Sequence, residues 1–65
     1  MTFQEYLDGI DWYGSNFSLG QAAFNHLSDC NHALVGSIVG TNLDPFHNDE
    51  ILPLFLEFVE EYWND

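Results

Sequence analysis

Apolar side chains recur along this chain at helical spacing, in separate runs divided by Gly, Asn, Asp and Pro. Phe3, Tyr6, Leu7 and Ile10 stand at i, i+3, i+4 and i+7, which puts them on one helix face. Thr2 and Glu5 frame the start as a capping box, in which each side chain bonds the other residue's amide. A short helix through Leu7 or Asp8 is expected, with Gly9 suited to its stop. Gly14, Ser15 and Asn16 mark residues 11–17 as a loop. Ser18 and Gln21 form a second capping box, opening a helix to about Ser28 with Leu19, Ala23, Phe24 and Leu27 on one face. Asp29, Cys30 and Asn31 are the expected break. Leu34, Val35, Ile38 and Val39 again have helical spacing. Their β-branched side chains with Gly36 also suit a strand over residues 33–39. A short helix after an Asn31 cap is preferred, ending at Gly40, Thr41 and Asn42. Asp44-Pro45 is a turn, since the residue before proline avoids helical backbone.

The clearest amphipathic run extends from Asn48 or Asp49 to Trp63. Ile51, Phe55, Phe58, Val59 and Tyr62 form its apolar stripe, with Leu52 and Leu56 beside it. Pro53 belongs in the first turn, where its missing amide costs least. Glu57, Glu60, Glu61 and Asn64 occupy the opposite face. The expected fold is all-α: one acidic domain over residues 1–65, a compact bundle of three to four short helices around an aromatic core. The alternative is α+β, with residues 33–39 as the strand.

Composition supports a folded domain. Hydrophobic residues make up 46% and aromatics 17%, too many for a disordered acidic tail. A chain of this size buries only about 60% of its unfolded surface. Cys30 is the only cysteine, so no internal disulfide adds support, and a lone thiol fits a reducing compartment.

Charge changes the picture most. Eleven Asp and Glu face no Lys or Arg, for a formal net charge of -11. Such a chain repels itself, which opposes compaction. Direct nucleic-acid binding needs cations that displace counterions from phosphates, and none exist here. Anionic membranes are disfavoured for the same reason. The N-terminal residues lack the basic region of a signal peptide, and no apolar run is long enough to span a membrane. A cytoplasmic protein with a positively charged partner is expected.

The candidate partner-binding residues are all the acids: Glu5, Asp8, Asp11, Asp29, Asp44, Asp49, Glu50, Glu57, Glu60, Glu61 and Asp65. Glu57, Glu60 and Glu61 are the clearest group. Like charges three and four residues apart destabilise a helix, and anions in its last turn oppose the dipole. A solvated face kept for solubility is the plain alternative, but such surfaces ordinarily mix signs. Trp12, Tyr13, Phe46, Tyr62 and Trp63 are candidate aromatic anchors, because Tyr and Trp are enriched at binding hot spots. Core packing is the commoner role for each, and one or two are expected to remain exposed.

Other chemistry finds little support. His26, Cys30 and His32 form an H-x3-C-x-H cluster, and His47 is also available, but a recognised zinc spacing is missing. Structural roles are preferred and no metal is expected. Asp8 with Asp11, or Asp49 with Glu50, could be drawn as an acid pair, but so small a domain offers little cleft for a substrate. Gly36 and Gly40 match no phosphate loop, and the EF-hand spacing is absent. No catalytic residue and no cofactor are expected.

In size and charge over its whole length, with acids from Glu5 to Asp65, the chain resembles the small acidic proteins that phages and mobile elements encode against host defences. These are DNA-mimic anti-restriction proteins and anti-CRISPR proteins that occupy the DNA path of a surveillance complex, a type I complex being the candidate target here. The resemblance implies a non-enzymatic inhibitor acting in the bacterial host cytoplasm as monomer or homodimer. Its partner would be a basic nucleic-acid-binding protein, a Cas or restriction component. It carries over to the acidic positions as a set. Two other readings stay open. An immunity protein for a nuclease toxin would use the same electrostatics. An acyl-carrier-like domain would carry its modification on Ser18, followed by Leu19, although Phe17 stands where that family has Asp.

Overall fold

The capping boxes form as the sequence dictates. In the computed structural model, which describes residues 1–13, 18–46 and 48–63, the Thr2 hydroxyl accepts from the Glu5 amide at 3.1 Å. The Glu5 carboxylate accepts from the Thr2 amide at 2.8 Å. Helix α1 follows over Phe3–Gly9. Ser18 and Gln21 repeat the exchange at 3.2 and 3.1 Å and open α2, Leu19–Cys30. The chain breaks at Asn31 alone and re-enters a helix as α3, His32–Ile38. A 3-10 turn over Asp49–Ile51 leads into α4, Leu52–Glu61. The architecture is all-α, with no strand among the described residues, so residues 33–39 do not take the strand alternative. Asn31 stands at the N-cap of α3, but its side chain makes no capping bond.

The core gathers Tyr6 and Ile10, Ala22, Ala23 and Leu27 of α2, Val35 and Ile38 of α3, and Phe55 and Val59 of α4. Phe3, Trp12, Phe24, Phe58 and Trp63 pack around it, half-buried. Tyr6 ties α1 to α2: its hydroxyl donates to the Ala23 carbonyl at 2.7 Å. Its ring stacks with His26, at a centroid distance of 5.4 Å and nearly parallel, and with Trp63, also at 5.4 Å. Trp63 makes an edge contact with Phe3 and donates its indole N–H to the Met1 carbonyl at 2.9 Å. Residues on either side of the chain's long middle are thereby clamped together.

Three expected core positions are corrected. Leu19 is 42% exposed, because it is the first residue of α2, where Gly20 and not Leu19 meets the neighbouring segment. Val39 lies past the end of α3 on extended backbone and is exposed. Tyr62 is 55% exposed: α4 ends at Glu61, and the turn at Tyr62 sends Trp63 inward in its place. Gly9 serves differently from expectation. It is the last residue of α1, and a Cβ there would lie 2.6 Å from His26 Nε2. Gly40, with φ of +74°, supplies the left-handed turn after α3. The expected loop residues 14–17 lie outside the described residues, as do His47, Asn64 and Asp65.

Candidate partner-binding surface

The acids divide by what their oxygens already do. Asp44 is half-buried and its carboxylate builds the turn after α3: one oxygen accepts from the Gly40 amide at 3.0 Å, the other from the Phe46 amide at 2.9 Å. This is the local bonding that makes Asp a turn residue. Asp49 accepts from the Gly20 amide at 2.8 Å. It satisfies one of the orphan donors in the first turn of α2 and locks the 3-10 turn against that helix. Glu5 is held in its capping box, and the Thr2 bonds lower its carboxyl pKa, as hydrogen bonds to a charged form do. Asp8 accepts from the Gln4 amide group at 2.9 Å.

Asp11, Asp29, Glu50, Glu57, Glu60 and Glu61 are exposed and make no hydrogen bond to another described residue. These six are the free array. Glu57 with Glu60 and Glu61 lie three and four residues apart on α4, close enough to share one face. No helix has a basic residue in its last turn, so nothing local offsets them. Asp65 lies outside the described residues.

The candidate anchors separate as sharply. Trp63 is committed to the clamp over Tyr6. Trp12 and Phe46 are half-buried, and Phe46 meets Phe24 edge-on at 5.7 Å. Tyr13 is 93% exposed, and Tyr62 stands out beside Phe58 with ring centroids 4.6 Å apart. Leu54, 54% exposed, joins Phe58 and Tyr62 in one row. The sequence reading missed Leu54. Its signal was the i, i+4, i+8 spacing with Phe58 and Tyr62, obscured because the core stripe has similar spacing.

His26 and Cys30 share a face of α2, with Sγ 3.4 Å from Nε2. Burial, then the nearby Asp29, pushes the thiol pKa up, the opposite of what an activated thiolate needs. His32 is exposed. Among the described residues no group of three His, Cys, Asp or Glu side chains converges as a metal site. Ser18 is the N-cap of α2, with its hydroxyl engaged by Gln21. No described helix is long and apolar enough to cross a membrane. The chain matches no family model, no curated protein and no solved structure.

Proposed function

We propose that this chain is a non-enzymatic inhibitor that competes with nucleic acid for a basic groove of a host defence protein, of the anti-CRISPR or anti-restriction kind, in the bacterial cytoplasm. The observation that carries the reading is the free array: six exposed carboxylates without a hydrogen-bond partner among the described residues, on a chain that has no Lys or Arg. Guanidinium and ammonium groups arranged for phosphates pair equally well with such carboxylates, often bidentately for Arg. Scale supports the comparison. The molecule is 29 Å in its longest dimension. One DNA strand of that length carries about nine phosphates at about 3.4 Å each. The chain's eleven acids match the charge of one strand and fall short of a duplex, which carries one charge per about 1.7 Å. The groove it suits is therefore one that grips a single strand or one edge of a duplex.

The test is capture from the native host followed by competition. The tagged chain should retain a nucleic-acid-binding protein, and that protein's own DNA should displace it. Replacing Glu57, Glu60 and Glu61 by Lys should abolish capture. A target that binds the chain and saturating DNA together would overturn the reading. So would a phosphopantetheine adduct on Ser18 in the intact mass, which would establish the carrier alternative.

A further inference from the structure

The outer shoulder of α4 carries two large apolar side chains that the core does not use, beside a third that it uses only in part. Leu54 and Tyr62 are each more than half exposed. Phe58 lies between them, half-buried and in ring contact with Tyr62. Residues spaced by four form one row along a helix. Glu57 and Glu61 adjoin this row, and Glu50 continues their line from the preceding 3-10 turn. A face kept only for solubility would be polar at positions 54 and 62. An apolar row edged by charges is instead the layout by which paired helices read each other, with the row giving affinity and the edges choosing the partner.

Charge decides what covers it. A second copy would bring eleven further acids and no cation against the same edges. Nucleic acid would bring phosphates. We infer that the Leu54–Phe58–Tyr62 row, edged by Glu50, Glu57 and Glu61, docks an amphipathic cationic segment of a protein partner, one with its own apolar row flanked by Arg or Lys. The inference rests on the reading of a basic partner and narrows it. Phosphate-binding side chains alone do not complete the contact; the partner also presents apolar side chains next to them.

The test uses three labelled probes: a helical Leu/Arg amphipathic peptide, an oligo-arginine of equal charge, and a Leu/Gln analogue without charge. Fluorescence anisotropy gives affinities, and amide shifts of the 15N-labelled chain locate each probe. The Leu/Arg peptide should bind tightest, with shifts centred on residues 50–62. Leu54→Ser and Tyr62→Ser change exposed positions and should keep the fold, checked by near-ultraviolet circular dichroism. Each should weaken the Leu/Arg peptide at least about fivefold, the loss that separates a contributing interface side chain from a neutral one, and leave oligo-arginine binding unchanged. Equal binding of the Leu/Arg peptide to these variants, or shifts centred on another face, would sink the docking row. So would self-association in sedimentation that Tyr62→Ser abolishes, since a second copy would then be the occupant. Glu57→Gln with Glu61→Gln should weaken both cationic probes. If that pair is silent, the electrostatic reading of function falls too; if it acts while the Ser variants do not, only the docking row falls.

Discussion

Tyr6 concentrates more of the fold's logic than any other residue. Its ring is fully buried and stacks with His26 and Trp63, and its hydroxyl bonds the Ala23 carbonyl. Burial first, then the charge of Cys30, raises its pKa well above the ordinary 10.0. A pKa higher in the folded than in the unfolded state means that the folded form holds the proton more firmly. The stabilisation is complete below the ordinary tyrosine value and is lost as pH rises beyond it towards the folded value. Urea denaturation should show stability falling as pH passes about 10. Tyr6→Phe should cost about 1 kcal/mol at neutral pH through the lost hydrogen bond and flatten the alkaline decline. Cys30 has a raised pKa and acts in the same direction, so Cys30→Ser is the control. A decline as steep in Tyr6→Phe as in the parent would refute the assignment. Glu5 has the opposite sign. Its pKa is lowered by Thr2, so its contribution exists above the ordinary glutamate value and disappears as pH falls through the folded one. Carboxyl NMR should place its midpoint below that ordinary value, and Thr2→Ala, which removes the hydroxyl but keeps the Thr2 backbone amide that is the larger cause, should return it only part of the way.

Helices are joined here by close approach as much as by side-chain packing. A Cβ on Gly20 would strike the Pro45 carbonyl and lie 2.9 Å from an Asp49 oxygen, just where Asp49 caps α2. Gly20→Ala should therefore destabilise the fold by about 1–3 kcal/mol, although alanine favours helices in general. A melting temperature that rose instead would show that the 3-10 turn does not seat against α2. This contact illustrates what the sequence could not show. The helix starts were legible because Thr2–Glu5 and Ser18–Gln21 are local signals, and α4 because its stripe is long. Gly20–Asp49 joins residues 29 apart, and no local pattern announces it. The same holds for Tyr62 and Trp63: periodicity placed Tyr62 in the apolar stripe and Trp63 only at its end, and the end of α4 at Glu61 reversed which of them turned inward. The acids were visible as a set, but the division between Asp44 and Asp49, bonded within the fold, and Glu57 or Glu61, free of it, required tertiary structure. At the end of α4 that freedom has a cost. Glu61→Lys should favour the helix dipole and pair with Glu57, raising stability by about 0.5 kcal/mol. For a domain this small that is about 2–4 °C in Tm. If the array exists for binding, the same variant should lose target capture. Stability gained with capture intact would mark these acids as a solubility face.

For the whole molecule, folding and binding should respond to salt in opposite directions. Eleven like charges on a body 29 Å in its longest dimension lie within a few Debye lengths of one another, the Debye length being about 10 Å at 0.1 M. Their mutual repulsion raises the free energy of the compact state more than that of the expanded chain, where the charges are farther apart. Screening relieves it, so Tm should climb as sodium chloride rises from low to physiological concentration. The attraction to a basic partner is screened by the same ions, so the apparent dissociation constant should increase over that range. Measured on one preparation, the two trends separate electrostatics from any general effect of salt on protein integrity: a fold that is tightening while its complex loosens cannot be losing the partner through unfolding. Replacing sodium chloride by sodium sulfate sharpens the comparison, because sulfate also strengthens apolar burial. At matched ionic strength it should preserve more of the contact made by Leu54, Phe58 and Tyr62 than of the contact made by Asp11 or Asp29. An affinity that stayed flat across these conditions would mean that the chain's unbalanced charge is not what holds its partner.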